Sequence, residues 1–112
     1  MTINKVQAFF KKLLERVAHP RIGSVISIQE EVGKLSKTVM DIEIYGENIP
    51  KSELEDNCAN LFISVVDICN SYGIELEKIT TNKIKEIEKK VSSWEKKHGA
   101  ELRRKRERFD IK

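Results

Sequence analysis

Apolar residues recur every three or four positions along most of the chain, and no segment shows a sustained two-residue alternation. This spacing predicts amphipathic α-helices and no β-sheet. The first helix is predicted over about 4–18. His19-Pro20 ends it, because a residue before proline is pushed out of the α region. Its apolar stripe comprises Val6, Phe9, Phe10, Leu13, Leu14 and Val17.

A second helix is predicted through the segment that precedes a loop at 46–50. It begins either near Ser24 or at Ser27, which forms a capping-box pattern with Glu30. Its apolar residues lie at helical spacing on one stripe. They are Val25, Ile28, Val32, Leu35, Val39 and Ile42.

A third helix is predicted to begin near Pro50 to Ser52, where Ser52 and Glu55 again fit a capping box. Gly73 is placed to end this helix in a left-handed conformation. The apolar face comprises Leu54, Cys58, Leu61, Phe62, Val65, Ile68, Cys69 and Tyr72.

A fourth helix is predicted from about 75 to beyond 94, with a row of apolar residues facing inward. The row is Leu76, Ile79, Ile84, Ile87, Val91 and Trp94. The highly charged residues after it form either a solvated helical extension or a frayed tail. The 112 residues therefore predict an all-α, four-helix bundle, with a helical domain over 1–95 and a charged C-terminal extension over 96–112.

The charge balance is too even to indicate a nucleic-acid-binding protein by itself. Lys and Arg number 21 against 18 Asp and Glu, so the net charge is only +3. The basic residues that crowd the C-terminus have no interleaved aromatic residues, as a base-stacking surface would require. They are Arg103, Arg104, Lys105, Arg106 and Arg108.

Several features predict a cytoplasmic protein. No apolar run approaches the roughly 20 residues that a membrane span needs, and the N-terminus lacks the pattern of a signal peptide. Cys58 and Cys69 lie on the predicted apolar face and are interpreted as buried thiols. They are about 16 Å apart along a helix, too far to form a disulfide. His19 is interpreted as a helix-end residue and not as a catalytic base.

The second and third predicted helices also carry an acidic pattern. The second contains QEEVGKL over 29–35, and the third contains ELEDNCAN over 53–60 and closes in GIELE over 73–77. Over roughly 22–90 the chain resembles the MazG-like nucleoside triphosphate pyrophosphohydrolases. That family has E-E-x-x-E on one helix, E-x-x-D on the next, and a similar closing turn.

The resemblance implies Mg²⁺-dependent hydrolysis of a nucleoside triphosphate to a monophosphate and pyrophosphate. Carboxylates supply the hard oxygen ligands that Mg²⁺ prefers. Glu30 and Glu31 would be catalytic, and Glu31, Glu53 and Asp56 would hold the metal; of the first two, Glu31 borders the apolar stripe and is the better ligand. The resemblance also implies a homodimer or homotetramer, which a broad apolar face on so short a chain favours.

The chain departs from this family pattern at three positions. Lys34 replaces the third glutamate, and it would repel Mg²⁺ and pair with Glu31 or Glu30. When the family pattern is aligned on Gly73, its E-x-x-D pair falls on Asn57 and Asn60. When the pair is instead matched by residue type, it falls on Glu53 and Asp56.

Those four residues of the third helix share one face, which is expected to point away from the apolar side, so an ordinary solvated face would look the same. The resemblance implies as candidate substrate contacts Lys34, Asn57, Asn60, Lys83 and Lys90, with Lys85 as an alternative on the fourth helix. Three functions follow as hypotheses, of which the one least favoured is a nucleic-acid-associated protein that uses the arginine-rich C-terminus. The other two are related to the resemblance. The chain is a pyrophosphohydrolase of reduced or lost activity, or it is a non-catalytic MazG-related protein that binds a nucleotide or a partner.

Overall fold

The computed structural model describes residues 1–18 and 20–110, which form four helices and no strand. The helices are α1 (Ile3–Leu14), α2 (Arg21–Glu43), α3 (Lys51–Ser71) and α4 (Leu76–Phe109). The prediction of an all-α chain of four helices is confirmed. His19 lies outside the described residues, so its role as a helix-end residue stays a prediction.

The chain divides into two compact units. The first, Met1–Glu77, contains α1, α2 and α3, and the second, Lys78–Lys112, contains nearly all of α4. Because α4 continues without a break to Phe109, residues 96–109 form a helical extension and not a frayed tail.

Helix α1 begins as predicted but ends early, and helix α2 begins before its predicted start. Thr2 caps α1 by accepting a hydrogen bond from the amide of Lys5 (3.2 Å), and α1 ends at Leu14, about one turn early. Pro20, in an extended conformation, precedes α2. The capping box at Ser27 is wrong, because Ser27 lies inside α2.

The ends of α3 confirm one prediction and correct another. Pro50 occupies the N-cap and no side chain caps this end, so the capping box at Ser52 and Glu55 is wrong. At the other end Gly73 has a φ of +65°. The amide of Ile74 donates to the carbonyl of Cys69 (2.8 Å), and that of Gly73 donates to Asn70 (3.3 Å). This is the Schellman motif that the glycine predicted.

Helices α2 and α3 form an antiparallel hairpin. Ser24, near the start of α2, bonds Asp67 near the end of α3, whereas Thr38 bonds Asn57 near the start of α3. Helix α1 packs against α3. Three helices of the first unit are thus joined through α3.

Few apolar side chains are buried in this arrangement. Among the described residues, only Val66 and Cys69 are hydrophobic and buried, with 0% and 6% of their surface exposed. Val32, predicted to face the core, is 44% exposed. The prediction that the apolar row of α4 faces inward is wrong for most of its members, because Ile79, Ile84, Ile87, Val91 and Trp94 are exposed. Among the described residues, more large hydrophobic side chains are therefore exposed than buried.

Candidate functional site at the α2–α3 hairpin

The two helices of the hairpin meet along a seam of polar side chains. The Ser24 hydroxyl donates to a carboxylate oxygen of Asp67 (2.6 Å), and the hydroxyls of Ser27 and Ser64 are 3.2 Å apart. Ser24 and Ser64 are buried. Because buried polar groups are costly unless they are hydrogen-bonded, these pairs fix how α2 and α3 align.

Asn57 belongs to this seam, which corrects the expectation that it faces solvent. It is 8% exposed, and its side-chain amide donates to the Thr38 hydroxyl (2.6 Å). Thr38 in turn donates to the carbonyl of Lys34 (3.0 Å). An amide can donate to this hydroxyl whereas a carboxylate cannot, so asparagine suits this position.

Glu31 lies on the same edge of α2 as Ser24 and Thr38, seven residues from each. Its side chain is 14% exposed and forms an ion pair with Lys34 (3.4 Å), as the sequence predicted. Its other carboxylate oxygen, Oε2, is buried and has no hydrogen-bond partner within the described part of the chain. Leaving such an oxygen unsatisfied costs about 1–3 kcal/mol.

The remaining predicted ligands lie on exposed surface. Glu30, Glu53, Asp56 and Asn60 are all exposed. In residues 1–18 and 20–110, no three His, Cys, Asp or Glu side chains are grouped so that they could hold a metal ion. The single chain therefore does not bring the four predicted carboxylates together.

Glu53 instead contributes to the charge around Lys37. The Lys37 ammonium donates to Asp41 (2.8 Å). This hydrogen bond and then the charge of Asp41 raise the pKa of Lys37 above its ordinary value, with smaller contributions from Glu47 and Glu53. These acidic side chains favour a protonated lysine.

The basic candidates on α4 belong to the second unit. Lys83 and Lys90 both form ion pairs with Glu86, at 3.1 and 3.7 Å. All three side chains are at least half exposed, so each pair contributes only about 0.3–0.5 kcal/mol. Lys85 is also exposed.

The hairpin also presents an apolar layer with a seven-residue repeat. In heptad notation, Val25, Val32 and Val39 occupy the a positions of α2. Ile28, Leu35 and Ile42 occupy its d positions. On α3 the d positions are Leu54, Leu61 and Ile68, and the a positions are Cys58, Val65 and Tyr72. None of these side chains is buried. We call them the a/d layer.

The polar seam lies beside this a/d layer. Ser24, Glu31 and Thr38 occupy the g positions of α2, and Asn57 and Ser64 occupy those of α3. Across the seam, a g residue of one helix contacts a g or a c residue of the other. The g and c positions lie on one side of a helix, so the a and d positions of both helices lie beside this contact. The a/d residues of both helices therefore share one side of the hairpin.

The two cysteines differ in their surroundings. Both are free thiols; Cys69 is buried, but Cys58 is exposed, so the prediction of a buried thiol is wrong for Cys58 in the single chain. Burial raises the pKa of the Cys69 thiol.

Gln7 is a structural residue that the sequence did not indicate. It is the buried residue of α1, and its side chain donates to Asn70 (3.1 Å) and to the carbonyl of Ile74 (2.9 Å). It also accepts from the amide of Leu76 (2.8 Å). These bonds join α1 to the end of α3 and the following turn.

Comparison of the chain with known protein families, curated proteins and solved structures finds no match. In the portion of the chain that the structure describes, no helix is both long and apolar enough to cross a membrane. The likeness to the MazG-like enzymes therefore stays a prediction from the sequence over roughly 22–90.

Proposed function

We propose that this protein is a non-catalytic relative of the MazG-like enzymes, and that its α2–α3 hairpin binds a second copy of the chain. The uncovered a/d layer is the observation that carries this proposal. Two hairpins packed through these layers form an antiparallel four-helix bundle. A symmetric dimer needs such a self-complementary surface.

The small number of buried apolar side chains also supports a dimer. Folding must offset about 1–2 kcal/mol of backbone entropy per residue, and hydrophobic burial is the main compensating term. Val66 and Cys69 are the only buried apolar residues of the described chain, so many of its large apolar side chains stay exposed and contribute little of this compensation. Packing two a/d layers together buries apolar side chains from four helices.

The polar seam supports the non-catalytic part of the proposal. Lys34 neutralises Glu31, and Asn57 is engaged by Thr38. Two positions that the resemblance assigns to metal carboxylates thus hold a cation and a buried amide. Such a site lacks the negative charge that Mg²⁺ binding requires.

Lys34→Glu tests the loss of the metal site. We expect the variant to bind Mg²⁺ at least about tenfold more tightly than the parent, because a repelling cation becomes a carboxylate beside Glu31. Titration calorimetry with magnesium chloride measures this change. Lys12→Glu, which makes the same charge change on α1, is the control and should leave the affinity unchanged. An equal affinity in Lys34→Glu would mean that the acidic motif is wrongly placed.

The second candidate function is the pyrophosphohydrolase itself. The buried Oε2 of Glu31, with no partner among the described residues, favours it because such an oxygen is suited to bind a cation. Incubation with a panel of ribo- and deoxyribonucleoside triphosphates, with and without Mg²⁺, decides between the candidates. Metal-dependent release of pyrophosphate would overturn the non-catalytic proposal, and its absence across the panel would remove the hydrolase.

Thiol labelling tests the dimer without a mutation. Cys58 lies in the a/d layer, so a second copy would cover it although it is exposed in the single chain. We expect Ellman's reagent to label Cys58 slowly at high protein concentration and faster on dilution. Cys69 should stay slow throughout, because it is buried and its pKa is raised. Fast labelling of Cys58 at every concentration would contradict the proposed interface.

A further inference from the structure

Helix α4 carries a second apolar row with a coiled-coil spacing. Ile84 and Val91 occupy a positions, and Ile87 and Trp94 occupy d positions. All four are 49–56% exposed. An a/d row of this kind is the surface through which two helices pair in a coiled coil.

The two edges of this row carry opposite charges. One edge, at the g positions, carries Lys83, Lys90 and Lys97, and the opposite edge, at the e positions, carries Glu88 and Glu95. In a parallel pair, a g residue faces the e residue five positions later on the other helix. Lys83 then faces Glu88 of the second copy, and Lys90 faces Glu95.

The same charges disfavour an antiparallel pair. Antiparallel helices bring g against g and e against e. Lysine would then face lysine along one edge, and Glu88 would face glutamate along the other. Like charges in these positions are repulsive, so the sequence of α4 discriminates between the two orientations.

Both edges are available for such contacts. Glu88 and Glu95 form no ion pair within the described residues, whereas Lys83 and Lys90 share Glu86 on their own helix. Those exposed pairs are worth only a few tenths of a kcal/mol. They would not prevent either lysine from facing a second helix.

We propose that α4 pairs in parallel with α4 of a second copy. The apolar row spans about two heptads, fewer than the three to four that sustain an independent coiled coil. The proposal therefore rests on the dimer formed by the hairpins, which would hold the two α4 helices at a high effective concentration.

Disulfide trapping tests the orientation. Ile84→Cys and Trp94→Cys are made separately in the full chain carrying Cys58→Ala, then mixed in equal amounts and oxidised. The two positions lie about 15 Å apart along a helix, beyond the reach of a disulfide. Parallel pairing predicts 84–84 and 94–94 disulfides. A predominance of 84–94 disulfides would show antiparallel pairing and overturn the proposal.

Charge reversal provides a matched second test. Lys83→Glu/Lys90→Glu and Glu88→Lys/Glu95→Lys should each lower the yield of the 84–84 disulfide at least about tenfold, because each variant repels itself. Mixing the two variants restores opposite charges on facing edges and should restore the yield. An unchanged yield in both variants would contradict the assigned contacts.

Light scattering on the same samples separates this proposal from the hairpin dimer. A dimer that forms no 84–84 disulfide would overturn the α4 pairing and leave the hairpin interface standing. A monomer before oxidation would overturn the hairpin dimer, and the α4 pairing with it.

Discussion

Val32→Glu is expected to dissociate the dimer and to unfold much of the released chain. Val32 lies at the middle a position of α2 and is half exposed in the single chain. In the paired layer, the glutamate would be buried without a partner in both copies. We expect the dissociation constant to rise at least about a hundredfold, and helicity by circular dichroism to fall as the dimer separates.

Val32→Ile is the matched control, because it keeps a β-branched apolar side chain at the same position. It should retain the parent mass in analytical ultracentrifugation and the parent helical signal. If Val32→Glu sediments like the control and keeps its helicity, this face of α2 is not an interface.

Gln7→Ala is expected to destabilise the first unit by about 2–3 kcal/mol. The substitution removes one side chain that bonds Asn70, Ile74 and Leu76, and of these contacts it keeps only the bond from Asn70 to the backbone carbonyl of residue 7. Urea denaturation followed by circular dichroism measures the free energy of unfolding. We expect the midpoint to fall with little change in the slope.

Asn4→Ala is the control for this substitution, because Asn4 is exposed on the same helix. Its free energy of unfolding should lie within about 0.5 kcal/mol of the parent value. Equal stability of the Gln7 and Asn4 variants would show that α1 is not held by the Gln7 hydrogen bonds.

The helices themselves could be predicted from the sequence, because helical periodicity and turn chemistry are local properties. Gly73 illustrates this, since a glycine after an apolar run predicted the Schellman motif that Ile74 and Cys69 complete. The capping boxes at Ser27 and Ser52 failed for the same local reason, because each helix begins earlier, directly after a proline at its N-cap. Ser27 lies inside α2 and contacts Ser64 instead.

The side of each helix that faces its neighbour could not be predicted in the same way. Periodicity finds an apolar stripe, and we expected that stripe to be the core. In the chain, small polar residues such as Ser24, Thr38 and Ser64 are buried instead. Their seven-residue spacing, with Ser24, Glu31 and Thr38 on one edge, is the signal that could have revealed the seam.

The candidate site was predicted in part. The pairing of Glu31 with Lys34 is local to one helix turn and is confirmed. The burial of Asn57 depends on Thr38 across the hairpin, which no local pattern in α3 encodes. Mg²⁺ binding and nucleotide hydrolysis stay predictions that the calorimetry and the nucleotide panel will test.

The mass of the protein in solution tests the proposed self-association most directly. Light scattering at micromolar concentration should give at least twice the 13.0 kDa of one chain, with a shift toward one chain on dilution. A mass of 13.0 kDa at all concentrations, together with full helicity and cooperative unfolding, would show that the a/d layer needs no second copy.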